Sequence, residues 1–148
     1  MEQAADLLKH LDVDKHISVH DYPKLIFLIY LADWKSAIER GSTISGSDWK
    51  RLKWGPFSRD LFAKIVTYRN SLAHGAPNSV TSKIDTESAM ILENIKKSYM
   101  HYNYEKLLDL ILSTYPMVRQ SNEQSLNLPA LAEIYKKDFR KARERVGA

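Results

Sequence analysis

The chain has no cysteine. That excludes a disulfide framework, a thiolate metal site and a cysteine nucleophile, and it fits a reducing compartment. Long apolar runs are missing too. The longest, Leu25 to Ala32, has eight residues, against the ~20 needed to cross a bilayer as a helix. Residues Met1 to Asp6 offer no basic segment followed by an apolar one, so no secretory leader is expected. There is no nucleophile elbow, P-loop or dinucleotide fingerprint, and no internal repeat or low-complexity tract. A strong charge of one sign is also lacking. The net charge is +4 at pH 7, which permits an acidic partner or nucleic acid without demanding either. These absences point to a cytoplasmic protein with no membrane segment.

What is present suffices for one globular domain spanning residues 1–148. With 44% hydrophobic and 27% charged residues, a chain of this length can bury one real core. The centre of that core is expected in Lys24–Trp34. Leu25, Leu28, Ile29 and Ala32 recur at i, i+3, i+4 and i+7, and Phe27, Leu31, Trp34 and Ile38 form a second stripe. Two interleaved stripes leave no solvent face, so this helix is expected to be buried all round. Asp21 and Pro23 suit its start, and Gly41 its end. Within it, Asp33 must be paired or solvated; Lys24, Arg40 or a Trp N–H are candidate partners in a structural role.

Other stripes are available to surround this helix. Ala4, Leu7, Leu8 and Leu11 suggest a short first helix over 3–11, followed by a polar loop from Asp12 to Tyr22. After a turn at Ser42–Ser47, Asp48 caps a short helix over Trp49–Trp54 or precedes extended chain, and Gly55-Pro56 breaks either. Leu61, Ile65, Tyr68 and Leu72 predict a helix ending at Gly75-Ala-Pro77. The competing β-hairpin, with strands near 63–69 and 80–84, has only local propensity in its favour. Asp85 precedes a helix with Ile84, Ile91, Leu92, Ile95 and Tyr99 on its stripe. Another starts near Tyr104, turns Leu107, Leu108, Ile111 and Leu112 inward, and stops before Pro116. Residues 117–125 suggest a polar loop. A last helix from Pro129 uses Leu131, Ile134, Tyr135 and Phe139, and its basic end, 136–145, is a solvated face. The fold class is mainly α: a compact helical domain around one buried central helix, with a small β-hairpin left open as an option.

Three groups of residues carry possible function. Trp49, Trp54 and Phe57 alternate with Lys50, Arg51 and Lys53 around Gly55-Pro56, and Arg59 follows. Aromatic residues and Arg dominate interface hot spots, but large aromatics beside a buried helix also close cores. Both hold if the aromatics lie inside and the basic residues outside. The candidate partner-binding set is therefore Lys50, Arg51, Lys53, Trp54, Gly55, Pro56, Phe57 and Arg59. Bases stacking on Trp with phosphates on Lys and Arg is a nucleic-acid alternative, disfavoured by the small charge excess. His16 and His20, with Asp14 and Asp21 beside them, fit a loop better than a metal site, since further ligands are lacking. No metal or cofactor is expected.

The motif order resembles a known family. Lys24, Leu25, Leu28, Tyr30, Leu31, Ala32 and Asp33, then Gly41, Ile44 and Gly46, then Trp54, Gly55, Pro56 and Phe57 are similar to the Panacea domain of SocA-like antitoxins. Ser113-Thr-Tyr-Pro116 and the stretch Leu126–Tyr135 extend the likeness over most of residues 22–137. The resemblance implies a mainly helical, non-enzymatic module that binds and neutralises a cognate toxin protein. A second, local resemblance is to the Arg-Asn-x-x-x-His signature of HEPN ribonucleases, met here by Arg69, Asn70 and His74. It implies an RNA-cleaving enzyme in which Arg69 stabilises phosphate charge and His74 moves a proton. Five helical residues set those two side chains about 140° apart, and a helix C-terminus with a dipole-complementing His explains the motif without catalysis. No catalytic residue is assigned.

Overall fold

The computed structural model describes residues 22–73 and 84–147. The central helix α1 spans Tyr22–Arg40, so Tyr22 opens the helix instead of ending a loop. Every residue from Leu25 to Trp34 is buried, as are Ser36 and Ala37. The backbone closes at Gly41, whose φ of +77° suits a residue without Cβ. The expected helix over 3–11 and the proposed cap Asp21 lie outside the described residues.

After α1 the chain forms β1 (Trp49–Leu52) and β2 (Gly55–Phe57), an antiparallel hairpin pairing Lys50 with Phe57 and Leu52 with Gly55. The helical option for Trp49–Trp54 is thereby corrected. The physical reason lies far along the chain: β3 (Ser125–Leu126) pairs with β1 through Trp49–Leu126 and Lys50–Ser125, giving sheet order β2-β1-β3. A six-residue helix would forgo these ladder bonds for very few of its own.

Helix α2 covers Arg59–Ala73, which settles the choice at residues 63–69 for helix over strand. Ser58 caps it, accepting from the Leu61 N–H at 3.4 Å. The predicted stop at 75–77 and most of the alternative return strand lie outside the described residues. Helix α3 is Thr86–Tyr99, with Asp85 as N-cap accepting from the Ser88 N–H at 2.8 Å. Hydrogen bonds from Ser88, followed by the nearby Arg40 charge, hold the Asp85 carboxyl below its ordinary pKa. Arg40 at the end of α1 reaches Asp85 (3.1 Å) and Ser88 Oγ (2.9 Å), tying the two helices together.

Helix α4 spans Tyr104–Leu112 and buries Leu107 and Ile111. Residues 117–125 are not all loop. Tyr115–Arg119 make a short helix α5 with Pro116 in its first turn, and Ser125 joins β3. Helix α6, Leu128–Gly147, buries Leu128, Leu131 and Ala132, whereas Phe139 is 52% exposed. Among the described side chains the buried ones thus lie at its beginning, and the expected inward position of Phe139 is corrected. Helices α2, α3, α4 and α6 and strand β2 all touch α1, which explains the absence of a solvent face. Among the described residues, no helix is long and apolar enough to cross a membrane.

Candidate partner-binding surface

The hairpin is fastened to α1 by a buried carboxylate. Asp33 is fully buried. Its Oδ1 accepts from the backbone N–H groups of Ile44 and Ser45, both at 2.9 Å. Its Oδ2 accepts from the Ser45 hydroxyl and from the Trp49 indole N–H at 2.8 Å. Of the three partners considered from sequence, the Trp N–H is the one used. Lys24 donates instead to the Met100 carbonyl at 2.6 Å, and Arg40 is engaged with Ser36, Ser88 and Asp85. Burial raises the Asp33 pKa, and the donated hydrogen bonds pull it part of the way back. Trp49 also meets the Tyr30 ring edge-on at 5.6 Å. Tyr30 in turn hydrogen-bonds Thr114 at 2.8 Å, and burial pushes its hydroxyl pKa up.

The far end of the hairpin is seated by shape. At Gly55, φ is +133°, and a Cβ would lie 2.9 Å from Phe27 Cε1. Only glycine lets the backbone approach this closely. Pro56 beside it is buried. The two-residue turn Lys53-Trp54 therefore projects from a corner whose inner side rests on α1.

Its side chains sort by position. Lys50, Lys53, Trp54 and Arg59 are exposed, Arg51 and Phe57 are half-buried, and Gly55 and Pro56 are inside. Trp54 is 61% exposed, whereas Trp49 belongs to the core. Arg51 acts as a clamp: its Nε donates to the Met117 carbonyl at 2.9 Å and its Nη1 to the Leu52 carbonyl at 3.3 Å. Sequence reasoning missed two members of this surface. Phe62 from α2 and Tyr104 from α4 join Trp54 around a cleft of about 130 Å³. For Phe62 the signal was an aromatic residue off the inward stripe that starts at Leu61, whereas Tyr104 falls in line with Leu107, Leu108 and Ile111 and gave no separate signal.

The other candidates are placed differently. Arg69 lies on α2, but its side chain and all of His74 fall outside the described residues, as do His16, His20 and Asp14. Among the described residues, no group of three or more His, Asp or Glu side chains could hold a metal ion.

The sequence model of the antitoxin SocA-like, Panacea domain family matches residues 25–117. The matched span runs from the buried face of α1 through the hairpin, α2, α3 and α4 into α5; the resemblance at Leu126–Tyr135 lies beyond it. The HEPN resemblance is not among the matches. No curated protein and no solved structure matches the chain. With more than half of its length matched, including the helix and the Gly-Pro corner on which the exposed hairpin is built, the chain belongs to the SocA-like antitoxin family and carries its Panacea domain.

Proposed function

We propose that this chain neutralises a cognate toxin protein by direct, non-covalent binding in the cytoplasm, and that the surface it uses is the hairpin corner. Lys50, Lys53, Trp54 and Arg59 meet the partner, while Arg51, Gly55, Pro56 and Phe57 hold them in place. The observation that carries this assignment is Trp54, a large aromatic left 61% exposed at the tip of a hairpin anchored at both ends. An exposed Trp on a rigid support supplies contact area at little entropic cost on binding. The mechanism is steric: a preformed patch covers the toxin's working surface, and no bond is made or broken by the antitoxin.

Co-expression and pull-down with the product of a neighbouring toxin-like reading frame tests this. The triple charge reversal K50E/K53E/R59E should weaken the complex about tenfold or more, because like charges then face each other across the interface. All three side chains are exposed, so the fold should be retained. An unchanged complex would exclude the hairpin as the interface. The purified chain should also leave RNA intact.

A further inference from the structure

The cleft beside Trp54 is not an ordinary surface groove. Ile26 and Phe27, each 3% exposed, and buried Pro56 lie at its base, while Trp54 (61% exposed), Phe62 (37%) and Tyr104 (43%) stand around it. The aromatics come from different elements, and Tyr104 and Phe62 are held against neighbouring rings. Phe27 stacks on Tyr104 at 5.7 Å, and Phe62 meets Phe57 at 5.8 Å and Tyr22 edge-on at 5.8 Å. Three large, mainly apolar side chains thus stay partly in water around this space. A volume of about 130 Å³ is close to that of an apolar cavity, on the order of 150 Å³, that takes up a benzene molecule. It therefore admits one branched aliphatic side chain or one aromatic ring.

The surroundings set the sign of the partner. Residues 49–59 contain Lys50, Arg51, Lys53 and Arg59 and no carboxylate. Lys50 is paired opposite Phe57 and so stands on the same face of the hairpin as that cleft-lining ring. The first carboxylate downstream, Asp60, is occupied by the Ser58 hydroxyl at 2.6 Å and Lys64 at 3.8 Å. Building on the function proposed above, we infer that this cleft receives a single apolar anchor residue from an acidic segment of the toxin, with the flanking carboxylates meeting Lys50, Lys53 and Arg59. The apolar base leaves the polar edge of a nucleobase without hydrogen-bond partners, a cost that an inserted apolar side chain does not meet.

The test uses the full chain, ¹⁵N-labelled, titrated with blocked pentapeptides of sequence Glu-Asp-X-Asp-Glu. With X as Leu or Phe, the Trp54 indole signal and the amides of Ile26 and Phe27 should shift together. Binding should weaken about fivefold or more with X as Ala, with Lys in place of the acidic residues, and with the double variant W54A/Y104A, each change being worth roughly 1 kcal/mol or more. Equal binding of the Ala peptide or the Lys-flanked peptide overturns the inference, as does an absence of shifts at these groups. So does a single-stranded oligonucleotide that shifts the same signals and displaces the Leu peptide. The co-expressed toxin complex separates the two proposals. If charge reversal breaks it and W54A/Y104A leaves it intact, the basic patch stands and the anchor socket falls. If neither matters, both fall.

Discussion

A methyl group added at Gly55 would meet Phe27 at 2.9 Å on backbone held at φ +133°, so both space and conformation oppose it. Gly55→Ala is expected to cost about 1–3 kcal/mol, while Trp54→Ala next door, exposed and free of packing duty, should stay within about 0.5 kcal/mol. Urea unfolding of the two variants checks this contrast. Asp33 makes a prediction about pH. Its pKa is raised in the folded chain because burial outweighs the donated hydrogen bonds. The folded state therefore holds the proton more tightly than the unfolded state, and the contribution of this group falls as pH rises from the ordinary carboxylate range, about 4, through the folded value. The stability of wild type relative to Asp33→Asn should accordingly decline over that window and level off above it. A difference that stays flat from about pH 3 to 8 would mean that the hydrogen bonds cancel the burial.

At the level of elements, α1 decides the architecture. Leu28 is fully buried, and Leu28→Ala should cost about 2–5 kcal/mol through the cavity it leaves. Lys35, half-buried on the same helix, should lose no more than about 0.5 kcal/mol on truncation to alanine. Similar small losses in urea unfolding would place α1 at the surface. What could be read from sequence follows from the range of the interactions involved. The span of α1, its stop at Gly41, the helix after Pro56 and the Asp85 cap rest on periodicity and capping within a few residues. The β1–β2–β3 sheet rests on Trp49 meeting Leu126, a pairing that no local pattern announces. The same division holds for the surface: Lys50, Lys53, Trp54 and Arg59 were legible as an aromatic and basic run. Phe62 and Tyr104 join them only through the packing of α2 and α4 around Phe27, and the engagement of Arg51 with Met117 is equally long-range.

For the whole molecule, the relation between the family match and the core matters most. The match ends at residue 117, yet Leu128, Leu131 and Ala132 of α6 are buried, α6 packs along α1, and Tyr135 meets Trp34 edge-on at 5.6 Å. A chain ending at Asn127 should therefore lose its cooperative thermal transition, followed by circular dichroism; a sharp melt would mean that the matched span is self-sufficient. The position of α1 has a further consequence during synthesis. The buried central helix leaves the ribosome well before α6, the helix that covers one of its flanks. At about 5–20 residues per second, the intervening hundred or so residues take on the order of 5–20 s to translate. For those seconds the nascent chain presents Leu25–Ala32 without the cover that α6 gives it, so the core closes only after α6 has left the tunnel.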